Sequence, residues 1–245
     1  MTNSYESSKL LGEYLLFHYG KDHELMPWKD GPVNGLRFPD RTVTELMDRS
    51  APNQTGKALD LGCAVGASSF VLANFFDRVT GLDFSESFIE AANEIKRQGF
   101  LEYKYLEEGD TFGQGTVRCP EHSDKVSFVV GDACDLPNEW RGFDLVHAAN
   151  LICRLPDPHV LFSRLPDLVK VGGQLLLATP FTWLEDFTPK DKWVGNGNSA
   201  QALGEALSPH FKLEKSVDLP FVIREHRRKF QFSVSLGTRW RRVKE

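Results

Sequence analysis

Three aspartates carry the first chemistry legible in this chain. Asp60, Asp83 and Asp132 each end a short apolar run (KALD, RVTGLD and KVSFVVGD), and Gly62 and Gly66 follow the first of them in DLGCAVG. Glycine at those two positions lets the chain turn tightly and lets a ligand approach the backbone. Asp83 lies 23 residues beyond Asp60, close to the spacing at which a carboxylate following a glycine turn holds a ribose hydroxyl pair. Asp132, in Gly131-Asp132-Ala133, is placed to bond an exocyclic amine, and Asn150 ends a fourth run, FDLVHAAN.

A glycine turn alone is shared by nicotinamide and flavin proteins. Here the spacing is GxAxG, with Ala64 and Ala67 where a GxGxxG frame requires glycine. A pyrophosphate beside three carboxylates is repelled, and the repulsion grows in low dielectric. S-adenosyl-L-methionine has no phosphate and carries a sulfonium and an ammonium, so acidic strand ends suit it. The alternative for each acid alone is local: Asp60 capping its loop, Asp132 capping a turn.

Positioning these residues requires alternating strands and helices. KALDLG, RVTGLD, KVSFVVGD, FDLVHAA and GGQLLLATP read as strands. Residues 67–76, SFIEAANEIKRQ (with Ser85 as N-cap) and DPHVLFSRLPDLV read as the helices between them. That order predicts an α/β fold with a parallel, doubly wound, Rossmann-like sheet. Ligands of such sheets bind outside the strands' carboxyl ends. The first fifty residues read as a helical cap, with Leu10, Tyr14 and Phe17 on one stripe of SSKLLGEYLLFHY and a short helix over 42–49. FKLEKSVDL and FVIREHRRKFQFSVSL read as strands without an intervening helix, an antiparallel addition at the far side. One domain is expected over 1–245: cap 1–50, cofactor-binding core 57–180, and substrate loop with terminal strands 181–245. The path of the 99–124 insertion is open.

Hydrophobic residues at 41% and charged residues at 26% fit a globular chain. No run of about 18 apolar residues offers a membrane span, and the N-terminus has no secretion-signal pattern. Cys63, Cys119, Cys134 and Cys153 form no CxxC pair, so a cytoplasmic location is expected. No metal is expected, since Cys119 and His122 lack two further ligands at metal spacing. Of the net charge of −5, residues 224–245 carry +6 and the rest −11. The basic end is either a nucleic-acid or acidic-partner contact or a solvated strand pair. The acidic remainder opposes a general nucleic-acid enzyme.

DLGCAVG, GLDFS, GDACDLP and FDLVHAANLICRLPDP, in this order, resemble the motifs of the seven-stranded class I methyltransferases over residues 57–180. The resemblance implies a seven-stranded methyltransferase sheet. It implies that Gly62, Cys63 and Gly66 line the methionyl part of the cofactor, Asp83 the ribose, and Asp132 with Ala133 the adenine. Asp60, Ser69, Phe84, Ser85 and Asn150 complete the expected cofactor set, and Arg37 is a candidate to neutralise the cofactor carboxylate. A narrower resemblance covers nearly the whole chain. YESSKLLGEYLLFHYG, ALDLGCAVGASSF, TPFTWLEDFTPKDKWVG and LPFVIREHRRKFQ are similar to the methyltransferase domain of ovothiol synthases, the 4-mercaptohistidine N1-methyltransferases. That family implies methyl transfer to the imidazole π-nitrogen of 5-thiohistidine, giving ovothiol A. The family's iron-dependent sulfoxide synthase region is missing here. The expectation is a free-standing enzyme served by a separate synthase, the Met1 start favouring this over an excised domain. HELMPWKDGPVNGLRFP departs from the family wording.

Methyl transfer from a sulfonium is an in-line displacement in which the cofactor supplies the reactivity. The protein must hold the nucleophile close and collinear and exclude water. An imidazole nitrogen needs help only in the choice of tautomer. Glu185 is a candidate to accept the other ring N–H, the alternative being a surface acid. Trp183 either stacks on the imidazole or covers core. Arg224 either binds the substrate carboxylate bidentately or pairs with Glu225 or another acid. In the cap, Tyr5, Tyr14, His18 and Tyr19 are candidates to close over the site. Tyr14 and His18, four apart, share a helix face that points into the pocket or into packing.

Overall fold

The computed structural model describes residues 7–50 and 56–243. The cap comprises α1 (Ser8–Tyr19), α2 (Asp22–Leu25) and α3 (Phe38–Thr44). Ser7 caps α1 by accepting from the Leu10 amide. The third helix starts earlier than the expected 42–49. Pro39 stands in its first turn, where a missing N–H removes no helical bond.

The core follows as β1 (Lys57–Leu61), α4 (Ala67–Leu72), β2 (Arg78–Asp83) and α5 (Glu86–Gln98). Ser85 accepts from the Phe88 amide at the start of α5, and Gly99 ends that helix at φ +80°. The insertion then forms a separate two-stranded hairpin, β3 (Phe100–Glu108) and β4 (Thr111–Arg118). Next come β5 (Val126–Val130), β6 (Phe143–Ala149), α6 (Pro158–Leu168), β7 (Val169–Thr179), α7 (Ser199–Leu207), β8 (Phe211–His226) and β9 (Lys229–Arg242).

Seven strands make one sheet in the order β5-β2-β1-β6-β7-β9-β8. Strand order reverses between β1 and β6, the place where such sheets open a ligand crevice. β9 alone runs against the others, pairing antiparallel with both β7 and β8. The terminal addition is therefore a hairpin whose outer strand lies parallel to the core. β8 is continuous through Pro220, which an edge strand tolerates. α7, which sequence periodicity did not reveal, precedes it.

One face of the sheet is covered by α1, α3, α4 and α5, with Phe17, Val43, Phe70, Phe88 and Ile95 in its core. The other is covered by α6 and α7 through Leu161, Leu165, Leu203 and Leu207. β7 and β9 pair from Gln174↔Arg241 to Thr179↔Leu236, so residues 229–235 and their β8 partners overhang the sheet's carboxyl edge. α1 is wedged between that overhang and the insertion hairpin. At Gly12 a side chain would collide with the Lys104 carbonyl, so glycine sets the closeness of helix and hairpin.

Part of the basic end is paired within the protein. Arg241 pairs with Asp48 and Glu214 (2.8 and 2.9 Å), and Arg239 with Glu214 (3.2 Å). Both arginines lie on β9. No helix among the described residues is long and apolar enough to cross a membrane.

Candidate active site

The loop after β1 is built by backbone that turns left-handed three times, at Gly62 (φ +68°), Ala64 (+47°) and Gly66 (+92°). Gly62 also lies against Leu151, whose Cδ1 would be 2.9 Å from an added Cβ. The amides of Gly62 and Cys63 donate to the Leu82 carbonyl at 2.8 and 3.0 Å. Asp83 then braces the turn: Oδ2 accepts from the Ala64 amide at 2.8 Å and Oδ1 from the Ser85 amide at 2.9 Å. Burial raises the Asp83 carboxyl above its ordinary range, against the backbone amides of Ser85, Ala64 and Phe84 that favour its anion. Non-glycine residues in left-handed conformation also end β6 and β7, Asn150 at φ +54° and Phe181 at +52°. Each costs about 1–2 kcal/mol. Three such positions on adjacent strand ends mark this edge as a functional site.

Gly62, Asp83, Phe84, Asp132 and Asn150 belong to these strand ends. Phe84 is 63% exposed, and Val129 and Val130 at the end of β5 are exposed beside it. Asp132 Oδ1 accepts from the Cys134 amide at 2.8 Å, and Ala133 is buried. The Asn150 Oδ1 accepts from the Ser235 hydroxyl at 2.7 Å, tying the overhang to β6.

Asp60 differs from expectation. It is 1% exposed and stands beneath the loop, with Oδ2 accepting from Ser69 at 2.6 Å and Oδ1 lying 2.7 Å from His147 Nδ1. Its carboxylate is satisfied inside the protein, so it shapes the loop and does not reach a ligand. Ser69 is buried in the same network, Cys63 is buried in the loop, and Ser85 is a buried helix cap. Sequence reading missed the rest of that network. His147 Nε2 lies 3.0 Å from Thr42 Oγ1, and Thr42 and Ser68 both donate to the Pro39 carbonyl at 2.8 and 3.0 Å. A signal existed: His147 interrupts the apolar run LVHAA within β6, and its strand partner in β1 is Asp60.

The cap reaches the loop through Tyr19, whose hydroxyl donates to the Val65 carbonyl at 2.7 Å. Burial pushes that hydroxyl's pKa well up. Tyr14 stacks at a tilt against Phe88, ring centres 4.7 Å apart. His18 is held neutral, its pKa lowered to about 4 by burial, and its Nδ1 is buried with no hydrogen-bond partner among the described residues. It lines a cleft of about 640 Å³ with Tyr19, Asp40, Ala67 and Phe70. Tyr5 lies outside the described residues.

Four expected contacts are displaced. Arg37 grips Asp22 with two bonds (3.0 and 3.1 Å) at the rim of that cleft, on the surface. Glu185 is a surface acid, its side chain 61% exposed, paired with Lys190 at 3.2 Å. Trp183 packs on Trp193 and donates to Ser199 at 3.1 Å. Arg224 is 3% exposed. It lies 2.7 Å from Glu107 of the insertion hairpin, donates to the Glu24 carbonyl and stacks over Tyr105. It therefore clasps the roof together. Nearby, Trp28 donates to the Arg227 carbonyl at 2.7 Å, and the Arg227 amide to the Glu107 carbonyl at 3.0 Å.

The glycine loop, the braced acid of β2 and the seven-stranded order with one reversed strand define the class I methyltransferase fold. Residues 59–177, just under half of the chain, match the family profile described as a methyltransferase domain, and the cofactor is S-adenosylmethionine. The residues present fit that group: carboxylates suit a cationic nucleoside, and Phe84, Val129 and Val130 offer an apolar surface beside Asp83 for a flat base. The chain is 26% identical over 170 residues to the O-methyltransferase cnsE of Penicillium expansum, covering 69% of this chain and 52% of that protein. It is 38% identical over 80 residues to the methyltransferase str2 of Strobilurus tenacellus, covering 31% of this chain and 29% of that protein. The chain thus spans about half, or less, of the length of these curated relatives. The crystal structure of a SAM-dependent methyltransferase from Methanosarcina mazei superposes with a TM-score of 0.55 at 16% identity, covering 80% of this chain and 96% of that one.

Proposed function

We propose that the chain is an S-adenosylmethionine-dependent N-methyltransferase acting on the imidazole π-nitrogen of 5-thiohistidine, with ovothiol A as product. One observation carries the reading. The segments similar to the ovothiol family outside the common core, SSKLLGEYLLFHYG, TPFTWLEDFTPKDKWVG and LPFVIREHRRKFQ, correspond to α1, the stretch after β7 and the overhang of β8 and β9. α1 and the overhang pack together, and all three follow or cover strand ends on the cofactor edge.

When bound, the cofactor supplies an electrophilic methyl on a sulfonium. In this reading the chain's residues do the remainder. Asp83 holds the ribose hydroxyls with the acceptor capacity left after its two amide bonds. Gly62 and Gly66 admit the methionyl part, and Asp132 and Ala133 face the adenine beside Phe84. His18, neutral and with a free Nδ1, accepts the second ring N–H of the acceptor and leaves the π-nitrogen unprotonated. Tyr14 and Tyr19 close the cap over the site and exclude water.

Purified protein with 5-thiohistidine and methyl-labelled cofactor is expected to give the π-N-methylated product, ahead of histidine and histamine in competition. Bound cofactor without turnover of any of these sinks the reading. The O-methyltransferase relative favours a second one, a hydroxyl acceptor; a phenol panel in the same assay separates the two.

A further inference from the structure

The insertion hairpin has one occupied edge and one open edge. On β3 the Arg227 amide donates to the Glu107 carbonyl at 3.0 Å, and Gly12 of α1 closes on the Lys104 carbonyl. β4 pairs with β3 from Phe100↔Arg118 to Glu108↔Thr111, and among the described residues no other backbone group bonds to it. Its side chains alternate between two faces. Phe112, Gln114, Thr116 and Arg118 are exposed, Phe112 at 52%, whereas Gly115 and Val117 are buried on the side of Tyr103 and Tyr105.

Natural proteins protect an open edge with proline, lysine or a bulge. β4 carries none of the three, and the hairpin's one irregularity, at Glu107, lies on β3. The edge also fits its own copy. Residues 110–118, DTFGQGTVR, hold two charges, Asp110 at one end and Arg118 at the other. Neither has an ion-pair partner among the described residues. An antiparallel twofold that sets Gln114 opposite Gln114 of a second copy brings Asp110 opposite Arg118 twice. It brings Phe112 opposite Thr116 twice and Gly113 opposite Gly115 twice. Alternate residues share a face, so the exposed side of one strand continues the exposed side of the other. Opposite charges, and an aromatic beside a β-branched residue, are the favourable cross-strand pairs. A slip of two residues in either direction parts both charge pairs, so the register is specified.

We propose that the β4 edge is the surface through which two copies of this chain associate, their insertion hairpins merging into one four-stranded antiparallel sheet. A two-stranded hairpin is marginal by itself, and doubling it supplies the strands it lacks. β3 carries Glu107, the partner of Arg224, so the joined sheet links the roofs of two candidate sites. The eight-residue strand is about 27 Å long, and the contact is narrow. An interface of that size lies at the weak end of specific association, so monomer and dimer exchange.

The test uses the protein alone and is independent of cofactor and acceptor. Sedimentation equilibrium over about 1 to 200 µM is expected to show a reversible monomer–dimer equilibrium. Arg118→Asp sets like charges against each other at both ends and is expected to weaken the dimer about tenfold. Adding Asp110→Arg restores opposite charges and is expected to bring the affinity back to within about threefold. A loss of fold would not be reversed by the second swap, so recovery separates contact from folding. Gln114→Cys is expected to give a disulfide-linked dimer on mild oxidation, beyond the parent's background, because residues facing each other across a ladder lie within disulfide reach. Thr116→Cys, out of register with its own copy, is expected to give none. A chain that stays monomeric over the whole range overturns the proposal. So does a dimer indifferent to Arg118→Asp, or crosslinking of Thr116→Cys in place of Gln114→Cys.

Discussion

The Tyr19 hydroxyl donates to the Val65 carbonyl at 2.7 Å, joining the last residue of the first cap helix to the middle of the cofactor loop. The contact makes the cap part of the cofactor site. Tyr19→Phe deletes the bond and leaves a buried carbonyl without its donor, at a cost of about 1 kcal/mol. Cofactor affinity is expected to fall roughly fivefold with the fold intact. Calorimetry beside a thermal melt checks this. Unchanged affinity would show that the cap is irrelevant to the loop.

His18 gives the protein an acid-side weakness. Its folded pKa is about 4, below the ordinary 6.5, because burial disfavours the imidazolium. The unfolded chain therefore binds the extra proton over that interval, and stability falls as pH drops from 6.5 toward 4. His18→Gln removes the titrating group. The loss of melting temperature between neutral pH and about pH 5 is expected to be smaller in the variant than in the parent. Equal losses would place the acid weakness elsewhere.

Asp48 and Glu214 act in the opposite sense. The Ser50 hydroxyl bond holds the Asp48 carboxyl down, helped by Arg241, and the Arg241 bond does the same for Glu214. Stability from these groups is fully present above the unfolded values of 3.8 and 4.5, and is lost as pH falls through the lowered folded values. Arg241→Met is expected to melt lower at neutral pH and to show a shallower further decline below about pH 4.5. Parallel melting curves for parent and variant across that interval would remove the pair from the account.

Buried Arg224 and half-buried Glu107 form the ion pair of the roof. Glu107→Ala leaves the guanidinium buried with the Glu24 carbonyl and the Tyr105 face, a loss of about 3 kcal/mol. Urea denaturation reads it directly. The double variant with Arg224→Met is expected to recover part of that loss, since removing both charges is milder than orphaning one. A double variant weaker than the single one would contradict the pairing.

The core was legible because buried parallel strands are short apolar runs, and their terminal acids stand out. Ser85 and Gly99 punctuated α5 as their types require. Asp60, Arg224 and Glu185 find protein partners, the local alternative in each case, for one shared reason: a charged side chain in sequence shows its capacity to bind and not its partner. Arg224 finds Glu107 only because the insertion folds back as a hairpin, over 100 residues upstream. His147 went unread in a run taken as plain strand, although its register opposite Asp60 made it the natural counterpart. The single strand through Pro220 and the helix α7 depended on edge position and packing, which local pattern does not carry.

The clasp of Trp28 to Arg227 and of Arg224 to Glu24 joins residues 199 and 200 apart. During synthesis the first helices leave the ribosome long before the hairpin that secures them exists. Contacts of such sequence separation close late, because loop-closure entropy must be overcome first. The central sheet can be complete while the roof is still open, and the cap waits for the last strands. Removing residues from the C-terminal hairpin therefore unfastens the N-terminus.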